Sequence, residues 1–200
     1  MKFSKVWIVL GIIALFVVGG CSIMMGGYNR LVTLEEQVKA QWSQVENVYQ
    51  RRVDLIPNLV ETVKGYAKHE RETLQAVIEA RSKIGTIKFD PSVVNDSKKL
   101  AEFQRAQGEL SSALSRLMVV VENYPQLKAN ENFLNLQSQL EGTENRIAVE
   151  RKRYNDLVQE FNSLRRRIPT NIIAALFGFS EKAYFKAEEG AEKAPKIKFE

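Results

Sequence analysis

Few residues in this sequence combine a type and a spacing that could catalyse a reaction. His69 is the only histidine. Glu70 and Glu72 do not share one helical face with it in the way that the residues of an HExxH zinc site do. The adjacent acids Glu35 and Glu36 point apart on a helix, which disfavours shared proton chemistry. The sequence therefore predicts no catalytic residue, no metal site, no cofactor and no enzymatic activity, with an enzyme whose site is unrecognised as an alternative.

The single cysteine limits the chemistry further. Because Cys21 has no second cysteine in the sequence, neither a disulfide within the chain nor a cysteine-based metal cluster can form. The stretch Val18-Gly19-Gly20-Cys21 resembles a bacterial lipobox. In a lipoprotein, Cys21 would become the lipidated N-terminus.

A short segment around Pro57 is dense in side chains that donate and accept hydrogen bonds. Arginine presents a planar fork that suits a carboxylate on a partner chain. One hypothesis is therefore a docking surface that consists of Gln50, Arg51, Arg52, Asp54 and Asn58. In the alternative, structural interpretation, Arg52 and Asp54 pair with facing helices, and Asn58 satisfies a carbonyl group freed by Pro57.

The first element that must position these residues is an apolar stretch near the N-terminus. Residues Val6–Gly27 carry no charge and are long enough to cross a hydrocarbon core of about 30 Å as a helix. Ile23, Met24 and Met25 extend the stretch beyond the needs of a secretory signal, and Val18 stands where a lipobox most often has leucine. These features favour a retained transmembrane helix over a cleaved lipoprotein signal.

The charges that flank this stretch predict its orientation. Lys2 and Lys5 lie on the short leading tail, and short basic tails tend to stay in the cytoplasm. Arg30 and Lys39 on the other flank oppose this preference. We expect a single-pass protein of the bacterial cell membrane whose remaining residues lie on the extracytoplasmic side.

Beyond the anchor, apolar residues recur in steps of three and four, which predicts a long amphipathic helix. The stripe consists of Val38, Trp42, Val45, Tyr49, Val53, Ile56, Val60, Val63 and Ala67. Pro57 falls inside the stripe, where it removes a backbone donor and clashes with the preceding turn. The unbroken stripe favours a kink at Pro57, whereas equal helix lengths favour a break. The sequence therefore does not decide between a bundle of three long helices and a bundle of four.

The middle of the sequence contains a break followed by a second stripe. Residues 85–94 are rich in turn formers, after which Asp96 or Ser97 can cap a new helix. Its core residues run from Leu100 to Val121, and Asn123-Tyr124-Pro125 ends it.

A last long helix is predicted from about Asn130 to Ile168, and Pro169 ends it. The apolar segment Asn171–Phe179 follows, too short to span a bilayer and too apolar to stay in water. It must pack on the bundle or dock at the membrane.

These elements predict an all-α fold, an antiparallel up-and-down bundle of three to four long helices preceded by an N-terminal transmembrane helix. The expected divisions are an anchor at residues 1–27, a helical bundle at 28–188 and a flexible tail at 189–200.

The charge balance gives little indication of an acidic partner. The sequence has 29 basic and 24 acidic residues, and two of the basic residues precede the anchor, so the remainder keeps a net charge of +3. The basic clusters, such as Arg165-Arg166-Arg167, are typical of solvated helix faces, and no nucleic-acid motif accompanies them. We expect no nucleic-acid partner.

Two blocks of sequence carry a resemblance to a known family. The segment Tyr28–Glu70, YNRLVTLEEQVKAQWSQVENVYQRRVDLIPNLVETVKGYAKHE, resembles the N-terminal signature of LemA proteins. The block Tyr124–Phe185, which contains IPTNIIAALFGF, is also similar to that family. The resemblance implies a membrane-anchored bacterial helical bundle and very little about its biochemistry.

An anchor joined to a long bundle without evident catalytic groups predicts a scaffold or adaptor. The expected partners are the lipid bilayer and another membrane or envelope protein. Self-assembly into a homo-oligomer is the structural alternative, because long helices with imperfectly covered stripes can pair between copies.

Overall fold

The computed structural model describes residues 2–86 and 91–186, with side chains at 7–86 and 93–186. All regular secondary structure in these ranges is helical, which confirms the predicted all-α fold. The tail predicted at 189–200 lies outside the described residues. The elements are α1 (Lys2–Tyr66), α2 (Arg71–Thr86), a 3-10 turn (Pro91–Asn95), α3 (Ser97–Val121), α4 (Pro125–Lys128), α5 (Glu131–Arg166) and α6 (Thr170–Phe177).

Helix α1 is continuous from the apolar stretch to the far tip of the bundle. Its 65 residues span roughly 98 Å at 1.5 Å per residue. Pro57 lies inside this helix with its ring exposed, so it does not separate two helices. The chain reverses instead at residues 67–70, and α1, α2, α3 and α5 form the four main helices.

The start of α3 follows the predicted capping chemistry. The Asp96 carboxylate accepts hydrogen bonds from the backbone N–H groups of Lys98 at 2.8 Å and Lys99 at 3.3 Å. These bonds satisfy N–H groups that have no partner within the helix. They also hold the pKa of Asp96 below its usual value.

The core has two parts, stacked along α1 and α5. The distal part lies farther from the apolar stretch of α1. It joins α1, α2, α4, the second half of α3 and the first half of α5, from Val53 to Leu140. Helix α2 ends before it reaches the other half. There, Val93 and Val94 of the 3-10 turn and the extended residues 179–186 complete the core around Trp42, Phe103 and Tyr154. We call residues 179–186 the strap.

Helix α6 packs where the apolar stretch of α1 ends. A Cβ atom built on Gly27 would lie 2.7 Å from Cδ1 of Ile173, so a larger residue at position 27 would require the Ile173 side chain to shift. The rings of Tyr28 and Phe177 are 4.8 Å apart, centroid to centroid. The side of α6 that carries Ile173 and Ala174 is therefore packed on the bundle, as the first alternative for this segment predicted.

Candidate functional site

Four of the five residues predicted to form a docking surface share one exposed face of α1. At about 100° per residue, Gln50, Arg51, Asp54 and Asn58 fall within an arc of about 100°, and all four are exposed. Gln50 Nε2 donates to Asp54 Oδ1 at 2.7 Å, so Asp54 pairs along its own helix and not with a facing one. Whether this surface binds a partner stays a prediction.

Arg52 does not belong to this surface, which corrects the predicted set. It points to the opposite side of α1 and is 2% exposed. Its Nη2 donates to Ser111 Oγ of α3 at 2.8 Å and lies 2.7 Å from Glu144 Oε1 of α5. Arg52 thus links three helices, in agreement with the structural interpretation for this residue.

A small polar cavity lies beside Arg52 in the middle of the bundle. Its volume is about 40 Å³, and Tyr49, Gln107 and Arg151 are among the residues that line it. Burial raises the pKa of Tyr49 to about 12, although Arg151 and Arg52 oppose that rise, so the phenol stays neutral. Among the described residues, the buried Gln107 amide has no hydrogen-bond partner. The volume and lining suit an ordered water molecule that would pair with this amide.

The described residues contain no group of three or more histidine, cysteine or carboxylate side chains that could hold a metal ion. His69 is exposed and lies in the turn between α1 and α2 rather than within a helix. Cys21 is a free, exposed thiol on α1.

The strap is held by side-chain amides that bind its backbone. Asn162 accepts from the Lys182 N–H at 3.0 Å and donates to the Lys182 carbonyl at 2.9 Å. Asn155 forms the same pair of bonds with Phe185, at 2.9 and 3.0 Å. Seven helical residues rise about 10.5 Å and three extended residues span about 10 Å, so the two spacings match. The two asparagines therefore hold the strap at a fixed register along α5.

The side chains of the strap fill the half of the core that lies nearer the apolar stretch of α1. Phe185 stacks on Trp42 with ring centroids 5.9 Å apart. Lys182 is only 1% exposed, and its ammonium group forms an ion pair with Glu35 and donates to Asn95 Oδ1 at 2.6 Å. It also lies 5.1 Å from the centroid of the Phe161 ring. A buried lysine needs such partners because desolvation penalises its charge.

Neither the strap nor the asparagine side chains that hold it were predicted from the sequence. The available signal was the spacing of Asn155 and Asn162, which puts two amides two turns apart on one face of a helix. Their partner is an extended segment without periodicity, so nothing local indicated the pairing.

The fold and these polar sites define a helical bundle carried on an apolar helix that is long and apolar enough to cross a membrane. A sequence model of the LemA family matches residues 41–199, most of the chain. The chain belongs to the LemA family. Its apolar helix and its family together fit a membrane-associated protein.

Several relatives align over most of the chain. Magnetosome protein MamQ of Magnetospirillum gryphiswaldense is 28% identical over 204 aligned positions, covering 92% of this chain and 74% of the relative. Magnetosome protein MamQ 2 of Paramagnetospirillum magneticum is 27% identical over 194 positions, covering 89% and 71%. Protein LemA of Metamycoplasma hominis is 25% identical over 167 positions, covering 84% and 72%. Neither the family description nor these names gives an enzymatic activity.

Proposed function

We propose that this protein is a non-enzymatic scaffold or adaptor of the bacterial envelope. In this proposal α1 crosses the cell membrane once and carries the bundle on the extracytoplasmic side. A second membrane or envelope protein binds the exposed face formed by Gln50, Arg51, Asp54 and Asn58.

The continuity of α1 is the observation that carries this proposal. The same helix includes the apolar stretch and the exposed face, without a linker between them. Arg51 lies 24 residues beyond Gly27, so α1 places it about 36 Å along the helix from the end of the apolar stretch. A partner bound there would be held at a defined distance from the bilayer.

A pull-down from gently solubilised membranes tests the docking surface. We expect a partner to be recovered with the wild type and lost with the triple variant Arg51→Ala, Asp54→Ala, Asn58→Ala. All three side chains are exposed, so their removal should leave the fold intact. Quantitative mass spectrometry of the recovered proteins measures the loss.

Helix α5 offers a matched control for this triple variant. Glu141 accepts a hydrogen bond from Gln137 at 2.9 Å, as Asp54 does from Gln50, and Asn145 and Arg146 are exposed nearby. The variant Glu141→Ala, Asn145→Ala, Arg146→Ala should recover the partner normally. Equal recovery with both triple variants would contradict the docking surface, and recovery of this chain alone would favour self-assembly over an adaptor.

Retention of the anchor leads to a separate prediction. If α1 is retained, the intact mass of protein extracted from membranes should include residues 1–20 and no lipid. Cleavage before Cys21 would remove residues 1–20 and add a lipid to the new N-terminus. A mass that corresponds to a lipidated chain starting at Cys21 would contradict the spanning helix and show that the protein has a lipid anchor.

A further inference from the structure

The α6 region exposes large apolar side chains to solvent. Ile168, Ile172, Leu176 and Phe177 are 83%, 62%, 68% and 56% exposed. Ile172 and Leu176 lie four residues apart and form an exposed stripe on α6, next to Ile168 in the turn before the helix. Phe177 lies on the other side of α6, where its ring contacts Tyr28. Contiguous apolar surface of this kind marks an interaction site.

The position of this stripe indicates what covers it. The opposite side of α6 packs on Gly27 and Tyr28, where the uncharged stretch Val6–Gly27 ends. Met24 and Met25, within one turn of Gly27 on α1, are also exposed. The stripe therefore lies on a helix that packs directly at the end of the proposed membrane-crossing segment.

The charges around α6 fit a lipid surface better than another protein. Residues 161–180 include Arg165, Arg166 and Arg167 and no acidic residue, and the flanking acids Glu160 and Glu181 lie near Arg30 and Arg165. Arg165 donates to the Phe179 carbonyl at 2.8 Å, whereas Arg166 and Arg167 are exposed. Exposed arginines beside an apolar helix face are typical of segments that lie at the boundary between acyl chains and phosphate groups.

We propose that α6 is an interfacial membrane helix. Ile168, Ile172 and Leu176 enter the acyl boundary of the bilayer, and Arg166 and Arg167 lie among the lipid phosphates. This inference rests on the proposed crossing of the membrane by α1. It gives the bundle a second contact with the bilayer, which restricts its rotation and tilt about the anchor.

Nitroxide labelling of the full chain in vesicles tests this placement. The vesicles contain phosphatidylcholine and phosphatidylglycerol, and Cys21→Ser removes the native thiol. Single labels are placed at Ile172→Cys and Leu176→Cys, with controls at Leu15→Cys in the apolar stretch and Val119→Cys at the distal end of α3. All four native side chains are exposed, so the labels do not displace core residues.

The readout is collision of each label with oxygen, which partitions into lipid, and with a nickel chelate, which stays in water. We expect the oxygen-to-nickel ratio at 172 and 176 to be several-fold higher than at 119 and to approach that at 15. A ratio at 172 and 176 equal to that at 119, with a lipid-like ratio at 15, would overturn the interfacial helix and leave the anchor supported. Exclusion of both reagents at 172 would show a protein contact and also overturn it. A water-like ratio at 15 would overturn the proposed crossing and this inference together.

Discussion

Replacing Asn155 and Asn162 together with alanine should lower the free energy of unfolding by about 3–5 kcal/mol. The change removes the partners of four backbone groups in the strap, two of them at the buried Lys182. A buried polar group left unpaired costs about 1–3 kcal/mol, and partial release of the strap to water keeps the total below the sum. Thermal and urea unfolding followed by circular dichroism measure the change.

Limited digestion with trypsin gives this prediction a local readout. Lys182 is almost completely buried and should resist cleavage in the wild type. In the double variant, cleavage after Lys182 should appear before the helices are cut. Asn145→Ala is the control, because Asn145 is exposed on the same helix. A double variant as stable and as protected from trypsin as this control would show that Asn155 and Asn162 do not stabilise the strap.

Arg52→Ala should lower the free energy of unfolding by about 2–4 kcal/mol, whereas Arg51→Ala should change it by no more than about 0.5 kcal/mol. Arg52 fills space between three helices and pairs with Ser111 and Glu144. Breaking a fully buried ion pair costs about 3–5 kcal/mol, but the Glu144 side chain is half-exposed and regains water. Thermal and urea unfolding followed by circular dichroism measure both changes.

In the pull-down, the two arginine substitutions should have the opposite ranking of effects. Arg51→Ala should weaken recovery of the partner, whereas Arg52→Ala, tested at a temperature where it remains folded, should not. Equal destabilisation by both substitutions would mean that burial does not distinguish these arginines. Loss of the partner with Arg52→Ala alone would place the docking site on the inner side of α1.

Much of the fold follows from local patterns in the sequence. The stripe from Val38 to Ala67 is buried as predicted, because a spacing of three and four puts these residues on one side of a helix. Asp96 caps α3 through its own carboxylate, and α5 ends shortly before Pro169. Each of these features depends on neighbours within a few residues.

The effect of Pro57 could not be decided from the same patterns. Its ring faces solvent, while Ile56, Leu59 and Val60 beside it are buried in the distal core. This packing holds the helix together across the missing backbone donor. The actual reversal at residues 67–70 contains neither proline nor glycine, so it gave no strong turn signal.

The polar sites depend on contacts between distant parts of the chain. Arg52 is separated from Glu144 by most of the bundle sequence, and its burial is set by the way in which α3 and α5 close around α1. Neighbouring arginines at 51 and 52 look alike in sequence, yet a rotation of about 100° per residue puts them in different environments. The sequence alone could therefore not separate the exposed residues of the predicted docking surface from the buried Arg52.

The strap also sets an order for assembly during synthesis. Residues 179–186 leave the ribosome after every element that they pack against, whereas the last residue of the distal core is Leu140. The distal half can therefore close on the growing chain while Trp42, Phe103 and Tyr154 still lack the Phe185 ring. The bundle would then mature from its tip towards the apolar stretch of α1, opposite to the direction in which α1 is synthesised.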